Sequence, residues 1–84
     1  MMADPEKKVD IAGRVFVTDT NRFGFVTEIA IETDQFEQYV VYLDETGRQL
    51  LSMISEWVRT EGVVIDRTLM GQPILKILVY QRRT

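Results

Sequence analysis

One stretch with helical spacing stands among segments that otherwise alternate, and its place in the order restricts the fold. Within Glu45–Gly62, Leu50, Leu51, Ile54, Trp57 and Val58 repeat at i, i+1, i+4, i+7 and i+8, which gathers them on one helix face, the last two passing into the next strand. Thr46 and Gln49 stand three apart, as in a capping box where each side chain satisfies a free backbone N–H. The helix is therefore expected to start at about Gly47.

Around it the period is two. Val9, Ile11, Gly13, Val15 and Val17 alternate with Asp10, Ala12, Arg14, Phe16 and Thr18, the pattern of a half-buried strand. "DTNRFG" follows as a turn, and Phe25 to Thr33 alternates again as a second strand. A polar connection, "DQFEQ", leads to the β-branched and aromatic run "YVVYL" as a third. After the helix, "WVRTEGVVID" is the fourth strand, with Gly62 marking a bulge or bend. "RTLMGQP" is a loop. "ILKILVYQ" is the fifth strand, Leu75, Ile77 and Val79 on one face and Lys76, Leu78 and Tyr80 on the other.

Five strands with one short helix between the third and fourth make the order of the OB-fold, a Greek-key barrel that the helix plugs at one end. Sm-like chains begin with a helix and SH3-like chains have at most a short 3₁₀ turn before the last strand, so neither matches this order. "IAGRVFV", "GRQLLSMISEWVRTEGVV" and "GQPILKILVY" carry a resemblance, over about residues 9 to 81, to small stand-alone bacterial OB-fold proteins. Residues 1–8 are expected as a flexible tail, 9–81 as the single barrel domain and 82–84 as a second tail.

That resemblance implies a ligand face across strands two and three, between the loops joining strands one to two and four to five. On this chain it uses Asn21, Arg22 and Phe23, then Tyr39 or Tyr42, then Arg67, Met70 and Gln72. The aromatics suit base stacking, but the charge opposes it. From Phe23 to Gly47 there is no Lys or Arg, while Glu28, Glu32, Asp34, Glu37, Asp44 and Glu45 all lie there. A phosphate backbone meets repulsion on such a sheet. The alternative use of Phe23, Phe36, Tyr39 and Tyr42 is to cover the barrel and its ends.

Composition removes other classes. A chain of 84 residues has room for one domain, and its 45% hydrophobic content describes a folded one. Absence of Cys and His removes disulfides, thiolate zinc and the usual proton shuttle. Any general base is then a carboxylate or lysine in a pocket, and no such constellation is visible, so no enzyme activity is expected. A net charge of −3 is opposite to the footprint of a phosphate binder. "MMADPEKK" lacks a signal-peptide core and no segment is long enough to span a bilayer, so a cytoplasmic protein is expected.

No cofactor and no metal is expected. Asp19, Asn21 and Gly24 match three positions of a calcium loop, but Phe23 and Ala30 stand where oxygen ligands are required. Glu32, Asp34 and Glu37 read as a solvated strand end that discourages aggregation.

Alternation leaves Phe16, Trp57, Leu78 and Tyr80 opposite the core positions, where they would form a partner or homodimer patch unless a bulge turns Leu78 or Tyr80 inward. The expected function is a non-catalytic binding module for a protein partner or for itself. The alternative is weak binding of single-stranded nucleic acid through Arg22, Phe23, Tyr42 and Arg67.

Overall fold

The computed structural model describes residues 7–83. Its elements are β1 (Lys7–Thr20), β2 (Val26–Thr33), β3 (Gln38–Val41), α1 (Glu45–Arg48) running into a 3₁₀ turn (Gln49–Met53), β4 (Trp57–Arg67) and β5 (Pro73–Arg82). The strands close in the order β1-β2-β3-β5-β4. Only the β3–β5 seam is parallel; the others are antiparallel. This is the five-stranded OB-fold-like Greek-key barrel that the order of patterned segments predicts, with its helix between β3 and β4.

The length of β1 is what lets the barrel close. Its first half, Lys7 to Arg14, pairs with β4, and its second half, Gly13 to Thr20, pairs with β2. Gly13 sits at the handover and pairs with both Thr33 and Val58. A Cβ there would collide with the Glu32 carbonyl, so the close crossing of the two neighbours requires glycine. Lys7 and Lys8, expected in the tail, begin β1; residues 1–6 and 84 lie outside the described residues.

Inward positions supply the core: Val15, Ile29, Ile31, Val41, Val58, Leu75 and Ile77, joined by Leu50 and Met53 from the 3₁₀ turn. Leu50 is completely buried, which is worth about 1.5–3 kcal/mol. The helical segment is thus retained for the two side chains with which it plugs the barrel. It is shorter and starts earlier than the Thr46–Gln49 spacing predicts. The cap is Asp44, whose Oδ1 accepts from the Gly47 amide at 2.9 Å, and the α-helical turn ends at Arg48. Asp44 wins because it leaves β3 in an extended conformation, with its carboxylate already at the open end of the turn.

Two register irregularities separate β5 from simple alternation. Glu61 pairs with Val79 while Gly62 pairs with Ile77, leaving Leu78 as an extra residue. The predicted irregularity at Gly62 is present. Its consequence is on the opposite strand, where the faces exchange after Ile77. Val79, expected inside, is exposed, and Tyr80, expected outside, packs against the core. A second irregularity, between Val64 and Asp66, leaves Ile65 extra on β4.

Candidate binding groove

Three loops of the barrel have the same build. In Asn21–Phe25, Thr33–Glu37 and Thr68–Gln72, the first residue donates its amide to the fifth carbonyl at 2.8–2.9 Å, and the fourth amide donates to the first carbonyl at 2.9–3.0 Å. The first side chain completes each turn. Asn21 Oδ1 accepts from the amides of Phe23 and Phe25, Thr33 Oγ1 from Gln35 and Glu37, and Thr68 Oγ1 from Gln72. This geometry places the fourth residue in the left-handed region. Gly24 and Gly71 adopt it at φ +86°, where glycine meets no Cβ penalty. In the middle turn the position belongs to Phe36, at φ +64°, where a side chain costs about 1–2 kcal/mol.

The Thr33 and Thr68 turns flank a groove of about 510 Å³. Phe36 and Glu37 form one wall, Gln38 and Tyr39 of β3 form the floor, and Arg67 and Met70 to Pro73 form the other wall. Gln72 Nε2 donates to Gln38 Oε1 at 2.7 Å, tying the second loop to the floor. Gln38 in turn donates to Glu32 Oε2 at 3.4 Å. Arg67 donates to the Gly71 carbonyl at 2.8 Å and makes no ion pair among the described residues. Phe36 is 81% exposed and Met70 87%, so two large apolar side chains stand in water on opposite walls.

Of the predicted ligand-face residues, the structure brings Tyr39, Arg67, Met70 and Gln72 together in this groove. Arg22 and Phe23 lie apart at the tip of the β1–β2 hairpin, the Arg22 guanidinium 4.9 Å from the centre of the Phe23 ring. Tyr42 follows β3, where its amide donates to the Leu75 carbonyl and its ring is partly exposed. The notion that the rings cover the barrel holds for Tyr39, which packs against the core, and not for Phe23 or Phe36, which are exposed.

Tyr80 and Leu78 of the expected partner patch do not join Trp57 in one apolar surface. Tyr80 is turned inward by the bulge, and its hydroxyl donates to Gln49 Oε1 at 2.6 Å. Trp57 pairs with Arg14 on β1 and lies under the Arg83 guanidinium, 5.4 Å from its ring centre. Phe16, half-buried, is two residues along β1 from Arg14. Leu78 is exposed but sits five residues before Arg83, roughly 16 Å along the strand at ~3.3 Å per residue.

Neither a protein-family model nor a curated protein matches this chain. Its own surface therefore has to carry the functional reading.

One acid, Glu37, and one base, Arg67, line the groove, and further carboxylates lie around it. Asp34 and Glu37 belong to the Phe36 turn, Glu32 closes the amide chain on the floor, and Asp66 precedes Arg67. Arg67 is the single cation lining the groove among the described residues. No group of three or more His, Cys, Asp or Glu side chains is placed to hold a metal ion among the described residues. No described helix is long and apolar enough to cross a membrane.

Phe36 is the groove residue that the sequence hides, inside a segment that reads as a polar connection. A signal for it exists in the spacing. Asn21, Thr33 and Thr68 each precede by three residues the positions of Gly24, Phe36 and Gly71.

Proposed function

We propose that this chain is a non-catalytic interaction module, and that its partner is another protein seated at the groove between the β2–β3 turn and the β4–β5 loop. The observation that carries this reading is the presence of two exposed apolar side chains, Phe36 and Met70, in one groove with the Glu37 carboxylate, beside Glu32, which Gln38 reaches. Burying those side chains against a partner removes apolar surface from water, the dominant favourable contribution in most protein association. The carboxylates repel a phosphate backbone and favour a partner surface that carries Lys or Arg.

A photo-reactive residue in place of Leu69 tests it, because Leu69 is fully exposed beside the groove and its replacement disturbs no packing. Irradiation in cells that make the protein is expected to give a discrete protein adduct that survives nuclease treatment, and none from the same group at Val79. An adduct removed by nuclease, no adduct at Leu69, or the same adduct at both positions would overturn the reading.

Weak binding of a single-stranded oligonucleotide is the second reading, favoured by the exposed rings of Phe23 and Phe36 and by the free donors of Arg67. The separation of the Arg22–Phe23 tip from the groove and the surrounding carboxylates both count against it.

A further inference from the structure

We infer that Phe36 is kept in its left-handed conformation as the contact ring of the groove, and that what it receives is an apolar side chain flanked by Lys or Arg in a segment of the partner protein. This rests on the reading of the groove as a protein-binding site. Phe36 differs from the residues at the same position of the two other turns. The two sister turns solve the same backbone problem with Gly24 and Gly71, so the geometry itself does not call for a ring.

Packing does not call for one either. At 81% exposed, Phe36 returns little buried area to offset its strained backbone. What the ring does gain is position, in the lining of one groove with Met70 and the half-buried Tyr39. An inserted side chain would touch a ring and a thioether, a combination that adapts to varied apolar shapes.

The flanking charge of the ligand follows from the rim. Glu37 lines the groove, Asp34 belongs to the same turn and Glu32 meets Gln38 on the floor, three carboxylates against one lining guanidinium, that of Arg67, among the described residues. Basic residues on either side of the inserted side chain meet that field favourably, and acidic ones meet it unfavourably. The hairpin tip offers no equal site, since the Phe23 ring is faced by Arg22 and the left-handed position there is glycine.

The test uses ¹⁵N-labelled full chain, as wild type and as Phe36→Gly, titrated with two short amidated peptides, acetyl-KLWKK and acetyl-ELWEE. In the wild type, the basic peptide is expected to shift the amides of Tyr39, Arg67 and Gly71, and the acidic peptide to leave them in place. Phe36→Gly is expected to melt a few degrees higher, because the strain is relieved, while binding the basic peptide about tenfold more weakly. Equal binding by both chains would overturn the role of Phe36 and leave the groove standing. Shifts with the acidic peptide would overturn the charge assignment, and no shift with either peptide would overturn the groove reading itself. A lower melting temperature for Phe36→Gly would overturn the claim that the ring is held at the expense of stability.

Discussion

Phe36 and Gly71 hold the same position in two turns of one build, at φ +64° and +86°, on opposite walls of a single groove. The pair separates what the backbone requires from what the surface presents. Glycine satisfies the turn without strain, and the phenylalanine satisfies it while holding a ring in solvent. Turn chemistry and surface chemistry thus make opposite demands at one residue, which is the ground for the contact role proposed for Phe36.

The reversal of faces in β5 is tested by a pair of truncations. Tyr80→Ala is expected to cost about 3–5 kcal/mol, because the ring packs on the core and its hydroxyl holds Gln49, whereas Val79→Ala is expected to cost well under that, about 0.5 kcal/mol. Urea unfolding of both variants checks it. Simple alternation predicts the opposite ranking.

Thr60 points into the barrel wall at 1% exposure, and its Oγ1 has no hydrogen-bond partner among the described residues. Replacing the hydroxyl by a methyl removes an unsatisfied polar group and keeps the shape. Thr60→Val is expected to stabilise the fold by about 1 kcal/mol, read as a rise of about 4–8 °C in melting temperature. A fall would show that the hydroxyl is in fact satisfied.

The cap assignment separates two neighbouring residues. Asp44→Ala removes the acceptor for the Gly47 amide and is expected to cost about 1 kcal/mol, while Thr46→Ala leaves that cap intact and is expected to cost less. Chemical denaturation of the two variants gives the ranking directly. Greater loss from Thr46→Ala would restore the capping box.

Asp10 and Arg59 form a two-bond pair across β1 and β4, at 3.1 and 3.0 Å. Hydrogen bonding to Arg59 holds the Asp10 carboxyl below its ordinary value, and the same bond raises the guanidinium. A carboxyl lowered by folding contributes in full above its unfolded value and loses that contribution as pH falls through the lowered one. The melting-temperature advantage of wild type over Asp10→Asn is therefore expected to be small, present at neutral pH, and to be lost as the pH falls below the ordinary carboxylate range. An advantage that grows in acid would contradict the pairing.

The strands were legible because their signal is local. Val9 to Val17, Phe25 to Thr33 and Trp57 to Val64 each show alternation within a few residues, and the position of Leu50 and Met53 between strands three and four points to a barrel plugged by a helical turn. The cap was less legible, since Thr46 and Gln49 satisfy the spacing rule while Asp44 has the backbone geometry. The Leu78 bulge could not be read locally, because it arises from how β5 meets β4 and not from the residues of β5 alone. Half of the predicted ligand face came together for a related reason. Tyr39, Arg67, Met70 and Gln72 meet because β3 lies beside β5, whereas Arg22 and Phe23 are carried off on the long β1–β2 hairpin.

Titration of ¹⁵N-labelled protein with a short mixed-sequence single-stranded DNA at low salt decides whether the groove takes a nucleic acid in place of the protein proposed for it. The amides of Phe36, Tyr39, Arg67, Gly71 and Gln72 are expected to stay in place, because Glu37 in the groove and Glu32 and Asp34 around it repel phosphates. Joint shifts of those amides that recover as salt is raised would contradict it and return the barrel to the nucleic-acid reading.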